Sequence, residues 1–299
     1  MGININSKIL LSVASIAAAA ALIVGATIAF FSDTETSTGN TFVAGELDLQ
    51  IDSEAHYAGL VCQGDPLVWV DDNPTSTTRP DLVGQPCVGT WELKDLGESD
   101  TFFALSDIKP GDTGENTISL HVFNNDAWGR LVIENVQNLE NGCTEPEDDV
   151  DGNCGNPGSG EGELQSNIVF SIWLDQGVTP GFQDQDQGQG DNVFQEGDEL
   201  VLVTSGPLDE GGETLNIWEG LAAAYVANSC AGSGKLDDIA TTCPGLGPDG
   251  QVIGSFTYYF GLDWELPEDV GNEVQSDSLS ADMTFEAEQY RNNPTPFGP

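Results

Sequence analysis

The densest group of potential metal ligands in this sequence is a short acidic loop, "DQDQGQGDNVFQEGDE", at residues 184–199. Its first two acids are separated by one residue, so in an extended segment both carboxylates point to the same side. Carboxylates on a flexible Gly-rich loop suit Ca²⁺, which takes about six to eight oxygen ligands. The sequence therefore predicts a calcium site with five candidate ligands: Asp184, Asp186, Asp191, Glu196 and Asp198.

The alternative is that this loop is simply solvated. It is not an EF-hand, because Gly188 stands in place of the third acid and Gln195 occupies the twelfth position. A chain with 50 Asp and Glu residues contains acidic clusters by chance. A second and weaker group of acids lies in another loop beside Cys154, at Asp148, Asp149 and Asp151.

The charge of the whole chain limits its partners. The 50 acids face only 7 Lys and Arg, which gives a formal net charge of −43. Such a surface excludes nucleic acid as a partner, since phosphate binding needs a basic surface. It also makes the folded chain repel itself. High salt relieves this repulsion, because the Debye length falls to about 3 Å at 1 M, and bound divalent cations relieve it as well.

The six cysteines indicate disulfide bonds. All of them follow an N-terminal apolar segment and their number is even, which in an exported protein favours a disulfide framework. No CxxC motif occurs, which argues against a zinc knuckle or a redox motif. The cysteines group along the chain as three local pairs: Cys62 with Cys87, Cys143 with Cys154, and Cys230 with Cys243.

The elements that position these residues are mostly strands. Apolar and polar residues alternate in six segments, which predicts antiparallel sheets with one wet face. These segments are residues 45–51, 116–125, 129–136, 167–175, 255–266 and 278–289. One helix is predicted within 213–229, and residues 53–100 form an irregular insert. Long acidic loops at 141–163, 181–197 and 232–250 connect the rest. The fold class is therefore an all-β antiparallel sandwich with one or two short helices.

The first 45 residues predict export. Residues 9–31 carry no charge, and this stretch suits either a secretory signal or a membrane anchor. Small residues at Thr27 and Ala29 predict cleavage between Ala29 and Phe30, and an uncleaved anchor is the alternative. This divides the chain into a signal peptide (1–29), a short N-terminal segment (30–45) and a sandwich domain (46–299).

Three stretches carry a resemblance to a known family. They are "GATIAFFSDTETSTGNTFVAGELDL" (25–49), "IKPGDTGENTISLHVFNND" (108–126) and "SLSADMTFEAEQYRNN" (278–293). Together they resemble the TasA/CalY/camelysin family, whose precursors are processed by a SipW-type signal peptidase. The resemblance implies a jelly-roll sandwich and a secreted subunit of extracellular matrix or biofilm fibres. It also implies that the partners are further copies of the chain and other matrix proteins.

Part of that family is named for metallopeptidase activity. A catalytic metal typically needs three protein ligands and an open position for water. This chain offers only His56 and His121 and has no HExxH motif. His56 is predicted in a loop and His121 in a strand, both as ordinary surface histidines. The sequence therefore predicts a protein that is not an enzyme, with an exported metalloendopeptidase as the alternative.

A third hypothesis is a cell-surface module that binds calcium or glycan. The six tryptophans offer aromatic surface for a sugar, but at least Trp264 belongs to the apolar side of its strand and Trp218 to the apolar stripe of the predicted helix. Core packing is therefore the preferred interpretation for most of them.

The segment that follows the signal peptide predicts how subunits join. Its threonines favour strands and its ends are apolar. After cleavage such a segment either pairs with the sheet edge of another subunit or folds back on its own domain. The resemblance implies the first arrangement, donor-strand addition. Cleavage of the signal peptide is expected to leave no stable membrane span in the mature chain. The residues concerned are Phe30, Phe31, Thr34, Thr36, Thr38, Thr41, Phe42 and Val43.

Overall fold

The computed structural model describes residues 47–72, 77–152, 158–182, 188–230 and 242–298. The predicted signal peptide and donor segment lie outside these residues, and so do Asp184, Asp186 and Cys154. Within them, the chain forms antiparallel sheets and two short helices, α1 (Leu164–Asn167) and α2 (Ile217–Ala227). Single 3-10 turns occur at Glu147–Asp149 and Asn272–Val274.

Twelve strands make up the described part of the sheets, and each predicted strand segment is found among them. They are β1 (Asp48–Tyr57), β2 (Leu60–Gln63), β3 (Val68–Val70), β4 (Trp91–Lys94), β5 (Thr113–Phe123), β6 (Ala127–Glu140), β7 (Gly158–Ser159), β8 (Val169–Leu174), β9 (Leu200–Gly206), β10 (Glu213–Asn216), β11 (Thr257–Glu265) and β12 (Ser278–Gln289).

The strands divide into two sheets of unequal size. The larger sheet has eight strands in the order β3-β2-β1-β5-β11-β8-β9, with β4 paired to β1. The smaller sheet has four strands in the order β10-β6-β12, with β7 paired to β6. One hydrophobic core contains residues from both sheets, including Ile118 of β5, Phe260 of β11 and Leu131 of β6. The predicted antiparallel sandwich is therefore confirmed.

Burial follows the alternation seen in the sequence. In β11, Tyr258, Phe260, Leu262 and Trp264 are each at most 5% exposed. Four of the six tryptophans are buried, which confirms core packing for most of them: Trp69, Trp128, Trp173 and Trp264. In α2, Ile217, Leu221 and Ala224 lie on the core side.

Three local predictions are corrected. The segment predicted as one helix begins as strand β10, because residues 213–216 pair with β6, and the helix starts only at Ile217. His56 lies at the end of β1 and not in a loop, because β1 pairs with β5 as far as Tyr57. The insert at 53–100 is less irregular than predicted, since it contains β2, β3 and β4. In each case cross-strand pairing extends or replaces a local preference.

The disulfides agree with the local pairs. Cys62 bonds to Cys87 and Cys230 to Cys243, with Cα–Cα distances of 5.8 and 5.7 Å. Cys143 is also disulfide-bonded, while Cys154 lies outside the described residues. Cys62 and Cys87 contribute to a second core around Tyr57 and Trp264. The first disulfide thus ties the insert to the end of the larger sheet.

Candidate functional site

β12 lies at the edge of the smaller sheet. β12 pairs with β6 from Ser278 opposite Leu139 to Gln289 opposite Ala127. In the part of the chain that the structure describes, no strand pairs with its other side. A twelve-residue strand therefore presents a row of backbone N–H and C=O groups that are available for a further strand.

The side of β12 that faces the core is incompletely covered. In β6, Leu131 and Ile133 are only 3% and 4% exposed. Directly opposite them in β12, Phe285 and Met283 are only partly buried, and Ala281 further along is exposed. One more strand beside β12 would cover this apolar surface and gain the free energy of its burial.

A groove of about 570 Å³ runs along the same place. Its walls come from both sheets and from the loop before β5, and most of its lining side chains are apolar. They include Phe103, Leu105, Ile108, Ile133, Leu164, Phe170, Leu266, Leu279 and Met283. The groove and the free edge thus form one feature, in which backbone groups are available for pairing and apolar pockets lie beside them.

A cluster of buried and partly buried acids lies at the beginning of this edge. We define the acidic cluster as Glu140, Glu147, Asp151, Glu163 and Asp277. Glu140 is the last residue of β6, and Asp277 directly precedes β12. Glu147 begins a 3-10 turn and Glu163 precedes α1. Pairing of β6 with β12 therefore brings together acids from distant parts of the chain.

The oxygens of the acidic cluster are close together. One oxygen from each of Glu140, Asp151 and Glu163 lies within 4.8 Å of the other two, and the same holds for Glu140, Glu147 and Asp277. Glu140 and Glu147 are 2% and 0% exposed. Of the acids in the earlier prediction, only Asp151 belongs to this cluster, because Asp148 and Asp149 are exposed.

Three carboxylates of the cluster accept hydrogen bonds from neighbouring donors. Glu140 Oε1 accepts from the backbone N–H of Gly142 at 2.9 Å. Glu147 Oε2 accepts from the backbone N–H of Thr144 at 3.0 Å and from Ser276 Oγ at 3.0 Å. Asp277 Oδ2 accepts from the backbone N–H groups of Glu163 and Leu164 at 2.6 and 2.8 Å. These bonds hold the carboxylates in place.

Burial and nearby negative charges raise the pKa of two acids in the cluster, Glu163 and Asp277. Burial, followed by the nearby negative charges of Asp151, Asp277 and Glu140, raises the pKa of Glu163 to about 7. Burial also raises the pKa of Asp277 to about 6, although the N–H groups of Leu164 and Glu163 act in the opposite direction. Both shifts have the cause expected for acids without a counter-ion.

Three of the five acids predicted as calcium ligands in the loop at 184–199 are described by the structure, and none of them belongs to the acidic cluster. Asp191, Glu196 and Asp198 are exposed. Asp191 Oδ1 accepts from the backbone N–H of Val193 at 3.0 Å and from the side-chain amide of Gln195 at 3.0 Å. Because Asp184 and Asp186 lie outside the described residues, calcium binding at this loop stays a prediction.

Sequence reasoning missed Glu140, Glu147, Glu163 and Asp277. Glu147 and Glu163 fall in the loop at 141–163, whose acidic composition was noted, but nothing local separates them from the other acids there. Glu140 and Asp277 are adjacent only because β6 and β12 pair. The signal in the sequence was therefore the composition of the loop and not any spacing.

The two histidines make polar contacts on the larger sheet. His56 has Glu115 at 3.3 Å from Nδ1 and Glu54 at 3.2 Å from Nε2. A metal ion binds one nitrogen of a histidine ring. Because the two carboxylates lie beside different ring nitrogens, they do not form a metal site of three ligands together with His56. His121 Nε2 lies 2.9 Å from Ser119 Oγ, and its Nδ1 lies 3.2 Å from Thr257 Oγ1.

Comparison with known proteins adds one finding. Residues 4–57 match the sequence model of a family described as camelysin metallo-endopeptidase. This confirms the resemblance over those residues, which include the predicted signal peptide, the predicted donor segment and β1. No curated protein sequence matches the chain significantly. Neither helix among the described residues has the length and apolar character needed to cross a membrane.

Proposed function

We propose that this protein is a secreted structural subunit that polymerises into extracellular fibres by donor-strand addition. In this proposal, residues 30–45 of one copy pair with the free edge of β12 in the next copy. The observation that carries it is that edge, with its partly exposed core side and the adjoining apolar groove. The match at residues 4–57 supports the same function from the sequence.

The length of the proposed donor suits the edge. Residues 30–45 span about 50 Å when extended, and a twelve-residue strand spans about 40 Å. Phe30 and Phe31 at one end and Phe42 and Val43 at the other supply apolar side chains for the groove. Backbone hydrogen bonds then give affinity and the side-chain pockets give specificity.

The geometry of the contact favours a filament. The donor segment and the β12 edge are different surfaces of one subunit, so the contact is heterologous and its repetition does not have to close. The net charge of −43 opposes this assembly. We therefore expect polymerisation to require high salt or divalent cations. Removal of residues 1–29 frees the donor, so cleavage between Ala29 and Phe30 controls when assembly begins.

Truncation tests the proposal directly. A chain that starts at Phe30 should form filaments visible by electron microscopy in about 1 M salt, where the Debye length is about 3 Å. A chain that starts at Glu46 should stay monomeric under the same conditions. A synthetic peptide of residues 30–45 should bind the truncated chain and block the free edge of its β12. Equal polymerisation of both chains, or of neither, contradicts the proposal, and a monomer from Phe30 onwards means that the segment folds back.

A groove-filling variant tests the acceptor. Ala281 is exposed and lines the groove, so Ala281→Trp occupies the place of the donor without overpacking the subunit. Thr284→Trp is the matched control, because Thr284 is exposed on the other side of the same strand. We expect Ala281→Trp to abolish elongation at unchanged melting temperature and Thr284→Trp to polymerise like the wild type. Equal elongation by both variants would exclude the groove as acceptor.

An exported metalloendopeptidase is the second candidate, because the matched family is described by that activity. Casein cleavage by the purified chain, with and without a chelator, tests it. Chelator-sensitive cleavage that is lost in His56→Ala would support the peptidase. If the protein forms filaments but does not cleave casein, the structural role is supported instead.

A further inference from the structure

The acidic cluster beside β12 has more negative charge than the surrounding protein neutralises. In the described part of the chain, no Lys, Arg or His lies within 4.0 Å of the carboxylates of Glu140, Glu147, Glu163 or Asp277. Burying an ionised carboxylate without a counter-ion carries a large desolvation penalty. A buried group of this kind therefore needs a proton or a cation.

Several oxygens of this region have no hydrogen-bond partner. Glu140 is 98% buried, and while its Oε1 accepts two hydrogen bonds, its Oε2 has no partner. The same is true of Glu163 Oε2, Asp277 Oδ1 and Asn138 Oδ1. Buried polar atoms nearly always have a hydrogen-bond partner in native proteins. A group of acceptors without partners therefore indicates that a ligand binds them.

Two of the unpartnered oxygens, Asn138 Oδ1 and Asp277 Oδ1, lie around one space beside Gly162. A Cβ placed at Gly162 would lie 2.8 Å from Asn138 Oδ1 and 2.9 Å from Asp277 Oδ1. Asn138 donates its amide to Gly162 O, which directs its carbonyl oxygen to that space. Glu140 belongs to both groups of converging carboxylates and links the two sides of the cluster. The unpartnered atoms here are all acceptors, and the converging carboxylates add negative charge, so the ligand that suits both features is a cation.

We propose that the acidic cluster is a Ca²⁺ site, with Glu140 and Asp277 as central ligands and Asn138, Glu147, Asp151 and Glu163 completing the shell. The donors are all oxygens, which suits Ca²⁺ and not Zn²⁺. Ca²⁺–O distances of about 2.3–2.6 Å place opposite ligands about 5 Å apart, which agrees with oxygens within 4.8 Å of one another. Mg²⁺ requires a smaller octahedron and retains its waters, so it binds more weakly.

The site also fixes the beginning of the proposed acceptor edge. Ser276 and Asp277 both line the groove; Asp277 belongs to the cluster, and Ser276 donates a hydrogen bond to Glu147. An ion at this place joins the end of β6, the loop at 141–163 and the segment that leads into β12. This structural role does not depend on whether the protein polymerises.

Calorimetric titration with CaCl₂ of the purified chain in about 1 M KCl tests the site, because that salt screens diffuse attraction to the acidic surface. We expect saturable binding with a Kd of about 1 mM or tighter and at most weak competition by Mg²⁺. Glu140→Gln and Asp277→Asn each remove one charge and keep the shape, and each should weaken binding by at least ~10-fold. Asp149→Asn is the matched control, because it removes one exposed charge from the same loop.

The thermal stability of the variants separates a ligand from a merely structural acid. Without calcium, Glu140→Gln should melt at a higher temperature than the wild type, because a buried repulsive charge is gone. With calcium, the wild type should melt at a higher temperature than Glu140→Gln. Wild-type affinity in both cluster variants overturns the proposal, as does loss of binding in an Asp184→Asn, Asp186→Asn double variant only. Equal effects of Ca²⁺ and Mg²⁺ in all variants also overturn it.

Discussion

Two regions of this molecule bring several carboxylates together, each with at least one buried acid, and they differ in what neutralises the charge. In the first region, Arg79 is only 6% exposed, and its guanidinium lies among three acids. It forms a two-pronged pair with Asp81, at 3.1 and 3.0 Å, and approaches Asp107 and Asp112 at 3.5 Å. Tyr57 accepts from Arg79 and donates to Asp112 at 2.7 Å.

The second region is the acidic cluster beside β12. It holds five carboxylates, and its oxygens are partnered mainly by backbone N–H groups and hydroxyls. Arg79 holds the pKa of Asp81 below its usual range through a hydrogen bond, whereas burial raises the pKa of Glu163 in the cluster. The difference teaches that this chain, which has only seven Lys and Arg, supplies its own counter-ion in one place and depends on an external one in the other.

Removal of Arg79 should have the largest effect. Arg79→Gln leaves Asp112 buried without its cation, and breaking a buried pair in this way costs about 3–5 kcal/mol of unfolding free energy. Lys109→Gln is the control, because Lys109 pairs with Asp107 at the surface and such pairs contribute about 0–1 kcal/mol. Urea denaturation measures both. A loss below that of the control would mean that the Arg79 network is not a structural counter-ion site.

A third way to neutralise a buried acid is a proton, and Glu115 of β5 tests it. Burial, followed by the charges of Asp175, Asp263 and Glu54, raises the pKa of Glu115 to about 10, and His56 lies beside it. The folded state then holds a proton that the unfolded chain releases near pH 4.5. This contribution to stability is complete below that pH and is lost as the pH rises towards 10.

We therefore expect stability to fall by up to ~1.4 kcal/mol per pH unit above about pH 5 through this one group. Glu115→Gln should flatten that slope and stabilise the protein by about 3 kcal/mol at pH 7. Denaturation curves at several pH values measure the slope. An unchanged slope in the variant would show that Glu115 is ionised in the fold.

Calcium should act on the acidic cluster and leave the Arg79 region unchanged. At a free Ca²⁺ concentration 100 times the Kd, the linkage relation predicts a gain of ~2.7 kcal/mol in unfolding free energy. A chelator should remove this gain. At the same calcium concentration the increment should fall to about 1.4 kcal/mol or less in Glu140→Gln, whose affinity is at least ~10-fold weaker, and be retained in Arg79→Gln, because independent sites are additive. A larger increment in Arg79→Gln than in the wild type would instead place calcium among the acids around residue 79.

A lysine introduced into the acidic cluster should have the smallest effect on stability. It would give the cluster a counter-ion from the protein itself, as Arg79 is in the other region. Asn138→Lys directs an ammonium to the unpartnered oxygens, so it should stabilise the calcium-free protein by roughly 1 kcal/mol and abolish the calcium increment. Gln137→Lys adds the same charge on the exposed side of β6 and is the control. Equal stabilisation by both variants would attribute the effect to net charge alone.

Much of the fold was predictable because it depends on alternation. In β5, β8, β11 and β12 the apolar residues recur at every second position, and a half-buried strand requires this pattern whatever its neighbours are. The pairs Cys62–Cys87 and Cys230–Cys243 were predictable because short loops keep partners near each other. The start of the helix was not predictable, because residues 213–216 pair with β6, a partner distant in the sequence.

The candidate site divides in the same way. The sequence by itself determined that the chain is acidic and that its strands have one apolar side, since these are properties of composition and of neighbouring residues. On the same basis it predicts an export signal followed by a β-prone segment. Tertiary structure alone decided which of the 50 acids share a site and which edge is free. Pairing of β6 with β12 brings Glu140 to Asp277, and no local spacing encodes a contact between residues so far apart along the chain.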